Sequence, residues 1–474
     1  MNYIKKNLSL SIVFILMLSL LPAPALANSA QTQWDGTDST GAIITGEDCP
    51  IVVEHELLTF DIGEFPESYY REVRDYLAYT GSVTAEYSFY NPADYDVNAT
   101  LVFPFGGIPD YGDIWDHEAE KPLRYSDTEK YDITLDGTPI ERKLRHTFAL
   151  WGHQFELEED IAKLHDDFVD DSFYSPDMPV IRYTYQPVDV DTENYRAASA
   201  AFVLSADPAK TRVYMEGQNG GSTLENAVQL EGWVNSDEPF IVNVIGEPLA
   251  EMPEWKFYEN GGCENEIDGT MLLVSEETVT LKEFLLQEYD PASGILDYDW
   301  YNAMVFALNY FTWEHGAIHS TEIGFDISDR LMRWYEYEIN IGAGERIVNT
   351  VTAPIYPAID GRYVPPIYEY TYLLSPAQTW TEFGTLDIVV NTPFYMIEDG
   401  VTVAFEQTDV GYAAHLDGLP EGELTFTLSA ESVPKIPTFQ GGFPMDLLLI
   451  GATMLIMVAV VIVFARAAKK QKKL

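Results

Sequence analysis

Two groups of histidines have spacings that could place imidazoles around a metal ion. His315 and His319 are four residues apart, which would bring two side chains to one face of a helix. A zinc peptidase with this spacing needs a glutamate directly after its first histidine, whereas Glu314 comes before His315. His55 is followed by a glutamate, but Thr59 occupies the position of the second imidazole. The sequence therefore predicts no zinc site, and no cofactor is expected.

Calcium is the ion that the composition favours, because it takes carboxylate oxygens and this chain has 76 Asp and Glu residues. Asp189, Asp191 and Glu193 carry acids at alternating positions and are the candidate metal ligands. An EF-hand loop also needs glycine at position six and glutamate at position twelve, where this chain has Asn194 and Ala200. The three acids therefore do not form an EF-hand, and a calcium site and a solvated loop both remain open.

Hydrolytic chemistry would need an activated nucleophile or a pair of carboxylates at a fixed separation. The Gly-x-Ser-x-Gly turn of serine hydrolases is missing, because residues 220–224 end in leucine where the second glycine is needed. A glycosidase needs two carboxylates about 5–10 Å apart, and a chain this acidic offers many pairs. No catalytic residue is predicted, and a surface hydrolase acting on cell-wall or polysaccharide substrates remains the alternative function.

The chain has two cysteines, Cys49 and Cys263. Neither belongs to a cluster of cysteine and histidine with the short spacing of a zinc site. On the oxidising side of a membrane, two such cysteines favour a disulfide. We therefore predict a Cys49–Cys263 bond that joins the N-terminal part of the chain to its middle.

Two apolar segments of different kinds stand near the ends of the chain. Residues 1–27 combine two lysines, a short apolar core and a small-residue cleavage site, which is typical of a secretory signal peptide. Residues 447–465 carry no charge and would span roughly 28 Å as a helix, close to the hydrocarbon thickness of about 30 Å. The basic tail 466–474 favours the cytoplasmic side. The predicted topology is a single-pass cell-membrane protein with its N-terminus extracellular and its C-terminus cytoplasmic.

The charge balance limits the kinds of partner that the exported part can bind. The net charge is −49, and seven of the 27 basic residues lie in the signal peptide and the tail, which leaves 20 against all 76 acids. Such a surface repels nucleic acid and anionic lipid, and it attracts cations and basic proteins. Aromatic and hydrophobic contents of 13% and 46% supply a core, so disorder is not predicted.

Alternation of apolar and polar residues predicts a mainly β fold with helical insertions. An Asp-Gly turn at Asp136 predicts a hairpin. Further strands are expected over residues 51–62, 82–90, 97–105, 182–185, 200–204, 212–215, 240–245, 334–341, 347–351, 368–374, 386–390, 401–405 and 424–429. The spacing of these strands favours two β-sandwich-like extracellular domains followed by one C-terminal transmembrane helix.

Four helices are predicted outside the membrane segment. One begins at Pro66, and a second covers residues 155–169. Thr280 and Glu283 have the spacing of a capping box, which predicts a helix start. Asp297 is expected to cap the last helix, whose apolar stripe is expected to pack in the core and comprises Trp300, Met304, Leu308 and Phe311.

These elements and changes in composition give the predicted domain boundaries. A flexible lead-in (28–47) follows the signal peptide, and a stalk (433–446) precedes the membrane helix. Between them we predict an N-terminal β-rich domain with helical insertions over 48–250, a helical or mixed segment over 251–325, and a membrane-proximal β-sandwich over 326–432.

One stretch has a family likeness. The strand and Asn-Pro turn at residues 87–94, the Phe-Pro strand at 101–106 and the Asp-Gly strand at 133–140 follow one another in order. This succession, within residues 82–145, resembles vault/inter-alpha-trypsin-type β-sandwich modules and uncharacterised secreted bacterial β-rich families. Members often carry an Asp-x-Ser-x-Ser metal motif, but Asp170-Asp171-Ser172-Phe173-Tyr174 ends in tyrosine, so metal-dependent adhesion is not implied. The resemblance implies a β-sandwich.

Together these observations predict a surface protein of a bacterium that has a Gram-positive type of envelope. The expected role is non-enzymatic: binding, scaffolding or accessory work with a membrane or envelope partner. The cytoplasmic tail of nine residues is too short for a signalling domain, so any signal would pass through that partner.

Overall fold

A computed structural model describes most of the chain between residues 33 and 436, namely residues 33–34, 39–40, 42–44, 49–66, 79, 81–107, 109, 115–116, 121–122, 131–150, 155–171, 173–235, 238–319, 327 and 330–436. The predicted signal peptide, transmembrane helix, cytoplasmic tail and the helix expected after Pro66 lie outside these residues. Among the helices within them, none is long and apolar enough to cross a membrane.

The first part of the chain is built from strands, several of which alternate buried and exposed residues as a sheet with one core face requires. In β5, for example, Val83, Ala85, Tyr87 and Phe89 are buried. The strands are β1 (Gln33–Trp34), β2 (Ser39–Thr40), β3 (Ile43–Ile44), β4 (Val52–Asp61), β5 (Ser82–Tyr90), β6 (Val97–Pro104), β7 (Trp115–Asp116), β8 (Lys121–Pro122), β9 (Asp132–Leu135), β10 (Thr138–Pro139) and β11 (Lys143–Phe148).

The middle of the chain adds ten strands and three helices. The helices are α1 (Leu157–Ile161), α2 (Leu281–Leu285) and α3 (Asp297–Tyr310). The strands are β12 (Pro179–Val188), β13 (Ser199–Leu204), β14 (Thr211–Glu216), β15 (Gln218–Thr223), β16 (Val228–Trp233), β17 (Phe240–Gly246), β18 (Trp255–Tyr258), β19 (Glu266–Ile267), β20 (Thr270–Thr280) and β21 (Ala317–Ile318).

The last part is again made of strands. They are β22 (Leu331–Ile341), β23 (Arg346–Pro354), β24 (Ala358–Asp360), β25 (Ile367–Leu373), β26 (Phe383–Asn391), β27 (Tyr395–Ile397), β28 (Glu406–Gln407), β29 (Gly411–Leu416) and β30 (Leu424–Ser429). With the strands above, they confirm the mainly β fold class.

Strands from the two ends of the chain share their sheets. One sheet has the order β10-β9-β23-β5-β4-β26-β29-β28, in which β4 runs parallel to β26 and β5 antiparallel to β23. A second has the order β11-β22-β6-β3, and a third contains β1, β24, β25, β30 and β27. Their buried faces form one hydrophobic core. We call residues 33–148 and 331–436 the outer unit.

The predicted domain boundaries are therefore wrong in one respect. The membrane-proximal sandwich expected over 326–432 is not separate, because its strands pair with strands of the predicted domain 48–250. The physical reason is that alternation along a strand predicts which face is buried but not which strand lies beside it.

Residues 155–319, which we call the inserted segment, interrupt the outer unit. Two five-stranded sheets, with the orders β20-β12-β17-β14-β21 and β15-β16-β13-β18-β19, pack against each other around a core that includes Phe202 and Val242. Helices α2 and α3 lie on the other side of the first sheet over a second core that includes Trp300 and Tyr301. Each face of that sheet is therefore covered.

Most predicted elements are present, and three differ. Residues 155–169 form only the five-residue helix α1, and residues 401–405 are not a strand. The capping box is confirmed, because Thr280 Oγ1 accepts from Glu283 N and the Glu283 carboxylate accepts from Thr280 N. Asp297, in contrast, is the first residue of α3 and not its cap. The apolar stripe of α3 packs in the core through Trp300, Met304 and Leu308.

Candidate binding surface

The histidines considered as metal ligands have different local surroundings. His315 has a left-handed backbone (φ 63°) in a short 3-10 turn, and the His319 ring packs edge-on against Trp313 at 4.3 Å. His55 lies on β4, where its Nδ1 is 2.9 Å from Thr385 Oγ1. Within the ranges that the structure describes, no group of three or more His, Cys, Asp and Glu side chains is arranged to hold a metal ion.

The candidate calcium ligands are all exposed, in the turn between β12 and β13. The Asp191 carboxylate accepts hydrogen bonds from the backbone N and the side-chain amide of Asn194, at 3.1 and 2.7 Å, and these bonds lower its pKa. Asp189 has a left-handed backbone (φ 58°), and Glu193 does not join the other two acids around one point. The structure thus places Asp189, Asp191 and Glu193 in a turn that its own hydrogen bonds stabilise.

The predicted disulfide is wrong, because both cysteines are free thiols. Cys49 packs against the core of the outer unit, whereas Cys263 lies in the inserted segment. The Cys263 thiol donates to Glu231 Oε2 at 2.7 Å, with Ser199 Oγ at 3.7 Å. Burial and this bond raise the pKa of Cys263 to about 11, so at neutral pH it is a thiol and a poor nucleophile.

The largest group of buried charges joins the inserted segment to the outer unit. Arg145 of β11 is fully buried and forms ion pairs with Asp299 of α3, with Glu336 of β22 and with Asp166. Asp299 also accepts from His146 N at 2.8 Å. Burial raises the pKa of Asp299 to about 6 despite the neighbouring guanidinium. Because the guanidinium is bonded to these carboxylates, this group of charges has a structural role as the joint between the outer unit and the inserted segment.

A second buried acid lies inside the outer unit. Glu56 of β4 is 1% exposed, and neither of its carboxyl oxygens has a hydrogen-bond partner of good geometry. Burial raises its pKa to about 8, and the nearby hydroxyls of Tyr87 and Tyr372 lower it only in part. The group is therefore a neutral carboxylic acid at neutral pH, closed off from solvent and from any substrate.

One surface feature stands out from the rest of the described chain. Strand β20 has eleven residues and lies at the edge of its sheet, where β12 is its one partner among the described strands. The other edge strands of the described sheets have two to six residues. A long unpaired edge exposes a row of backbone N–H and C=O groups, which is a template for pairing with another strand.

The side chains of β20 add apolar surface to this edge. Leu272 and Leu273 are each 48% exposed and Val274 is 64% exposed. Ser275 pairs with Thr184 and Leu273 with Tyr185, which leaves Val274 as the extra residue of a β-bulge. Single exposed apolar residues are common on proteins, but three in a row on an open edge are typical of an interaction site.

The sequence interpretation missed this surface, because β20 lies in the segment 251–325 that was expected to be helical or mixed. A signal was present in the apolar run Met271–Val274, followed by Ser275, two glutamates and Thr278-Val279-Thr280. The run does not alternate, because the strand has little buried face of its own to mark.

Comparison with known proteins leaves the family open. No known family profile matches the sequence, and no curated protein matches it either. A crystal structure of a Legionella pneumophila protein described as nutrient binding matches 84% of this chain and 72% of its own, with 9% identity and a TM-score of 0.32. Such a low score carries no conclusion on fold or function, and the vault-type resemblance of residues 82–145 stays a prediction.

Proposed function

We propose that the chain is a single-pass surface protein whose acidic, β-rich extracellular part binds or scaffolds a membrane or envelope partner without chemistry of its own. In this proposal the signal peptide 1–27 directs export and residues 447–465 form the membrane helix. The outer unit contains both ends of the described chain, and the inserted segment lies between its two parts in the sequence. The extracellular part would then consist of these two connected bodies.

The observation that carries the binding role is the open, apolar edge of β20. An exported protein meets other proteins at high local concentration in the envelope. A long unpaired edge there promotes aggregation unless a binding partner covers it. Within the described part of the chain, three of the groups that could do chemistry are bonded to other side chains or closed off from solvent. Cys263 is bonded to Glu231, Arg145 is held by three carboxylates, and Glu56 is sealed in the core.

The anchoring part of the proposal is tested by protease protection on the full-length chain with an epitope tag after Leu474. On intact cells, protease should digest the bulk of the chain and leave a small tagged fragment. In lysed cells the tag should disappear as well. A chain that resists protease in intact cells but is digested after lysis would contradict the topology.

The binding part is tested by cross-linking the full-length protein in intact membranes and identifying the partners by mass spectrometry. A non-enzymatic binding protein should give a reproducible partner that saturates with expression level. Purified full-length protein should release no soluble sugar or peptide from isolated envelope. Turnover of envelope material together with the loss of any stable partner would contradict the proposal and favour a surface hydrolase.

A further inference from the structure

We infer that strand β20 binds an extended segment of a basic partner protein, which adds to the sheet as one more strand. This inference rests on the proposed binding function and names its site and the chemistry of the partner. Three features of the edge carry it: its free backbone, its apolar side chains, and the charge that follows them.

The backbone supplies the binding mode. Strand β20 makes its described sheet contacts with β12 along its whole length, from Thr270 opposite Val188 to Thr280 opposite Pro179. No described strand pairs with its second edge, so this edge presents backbone donors and acceptors on both sides of the bulge at Val274. A partner segment in an extended conformation can pair with these groups whatever its sequence, which is the basis of recognition by strand addition.

The side chains supply the selectivity. Leu272, Leu273 and Val274 require apolar residues at one end of the added strand. Glu276 and Glu277 follow after Ser275, are exposed, and form no ion pair within the described residues. Arg182, which lies opposite Glu277, instead bonds Glu216 and Gln287. Two uncompensated carboxylates beside an apolar run favour lysine or arginine at the other end of the added strand.

Charge also decides between a foreign partner and a second copy of this chain. The chain carries a net charge of −49, so two copies repel each other at any edge-to-edge contact. The two glutamates would bring like charges together if two identical edges paired, and charged side chains on an edge strand discourage such pairing. A basic, extended partner removes the repulsion and keeps the backbone pairing.

The test uses the full-length chain and a labelled eight-residue peptide in which valine and threonine alternate and two lysines stand at one end. Fluorescence anisotropy gives the Kd, and amide hydrogen exchange locates the contact. We expect saturable binding that weakens as salt is raised, together with slower exchange at the β20 amides. A peptide with glutamates in place of the lysines should bind at least about tenfold more weakly, because two attractive pairs become repulsive.

Variants of the protein give the matched comparison. The double charge reversal Glu276→Lys/Glu277→Lys should lower the affinity for the basic peptide about tenfold and restore binding of the acidic peptide. The control Glu406→Lys/Glu421→Lys makes the same change in net charge on exposed residues of the outer unit and should leave both affinities unchanged. Val274→Lys changes an exposed bulge residue, and it should lower the affinity for both peptides without unfolding the chain.

Three results would overturn the inference. Peptide binding with unchanged exchange at β20 would place the site elsewhere. A dimer in sedimentation that Val274→Lys abolishes would make a second copy the occupant. A cross-linked envelope partner that is retained by the Glu276→Lys/Glu277→Lys and Val274→Lys variants would leave the proposed binding function standing and refute only strand addition.

Discussion

Replacing Glu56 by glutamine should change how the stability of the protein depends on pH. The carboxyl is 1% exposed in the core of the outer unit, and burial raises its pKa from 4.5 to about 8. Between these values the folded state keeps a proton that the unfolded chain releases. Stability from this group is therefore complete below pH 4.5, falls as the pH rises, and is lost once the pH passes about 8.

The size of the effect follows from the shift. One pKa unit corresponds to about 1.4 kcal/mol, so raising the pH from 4.5 to 8 should cost the wild type about 5 kcal/mol through this residue. At pH 7 about two thirds of that loss has occurred. Glutamine has nearly the same shape and cannot ionise. The Glu56→Gln variant should therefore be much more stable than wild type at pH 8 and close to it at pH 4.5.

The assay is urea unfolding at intervals between pH 4.5 and pH 9, followed by tryptophan fluorescence. Glu86→Gln is the control, because Glu86 lies on the neighbouring strand β5 with an exposed side chain, and this substitution should leave the pH profile as it is in wild type. A stability difference between Glu56→Gln and wild type that stays constant across this range would refute the reasoning. It would mean that the buried carboxyl does not hold an extra proton.

Three further outcomes follow from the structure. Arg145→Met should lower the free energy of unfolding by about 3–5 kcal/mol in urea, because it leaves Asp299 buried without a cation, and adding Asp299→Leu should recover most of the loss. Cys49 and Cys263 should give an intact mass with two free thiols, and maleimide should label Cys263 slowly at neutral pH until denaturant is added. Thr280→Ala should cost about 1 kcal/mol in the same urea assay, because it removes the cap of α2.

Controls sharpen these comparisons. Lys143→Met removes an exposed cation two residues before Arg145 on the same strand, and it should lower the free energy of unfolding by less than about 1 kcal/mol. A double variant of Arg145 and Asp299 that is no more stable than Arg145→Met would mean that the joint is not a matched pair. A mass lower by two hydrogen atoms than that of the protein with two free thiols would restore the predicted disulfide. An unchanged unfolding curve for Thr280→Ala would show that the cap adds nothing in this context.

Local pattern was enough for many of the elements. Alternation in 82–90 and the Asp-Gly turn at Asp136 predicted β5 and the β9–β10 hairpin, since a half-buried strand and a tight turn leave their marks within a few residues. The capping box at Thr280 was readable for the same reason. The prediction over 155–169 failed beyond Ile161, because an apolar spacing of helical period can also be met by a loop that packs its side chains into a core.

The candidate site was not readable in this way. Strand β20 is recognisable as an open edge only when the sheet order is known, and that order depends on residues up to a hundred positions away. Arg145 and Asp299 are 154 residues apart, and their pairing could not be inferred from either neighbourhood. Nothing in the sequence around Glu56, which follows a histidine, indicated that its carboxyl group would be buried.

The sequence by itself determined the composition of the protein: an acidic, β-rich chain with an apolar segment near each end. Charge and strand propensity are sums over local residues, so they need no fold to be read. Only the tertiary structure decided that the two ends share one core, that the middle is inserted between them, that the cysteines stay apart, and that β20 lies at an edge of its sheet among the described strands. These facts concern contacts between residues that are distant in the chain. Such contacts depend on how whole surfaces pack together, which no local stretch of sequence reveals.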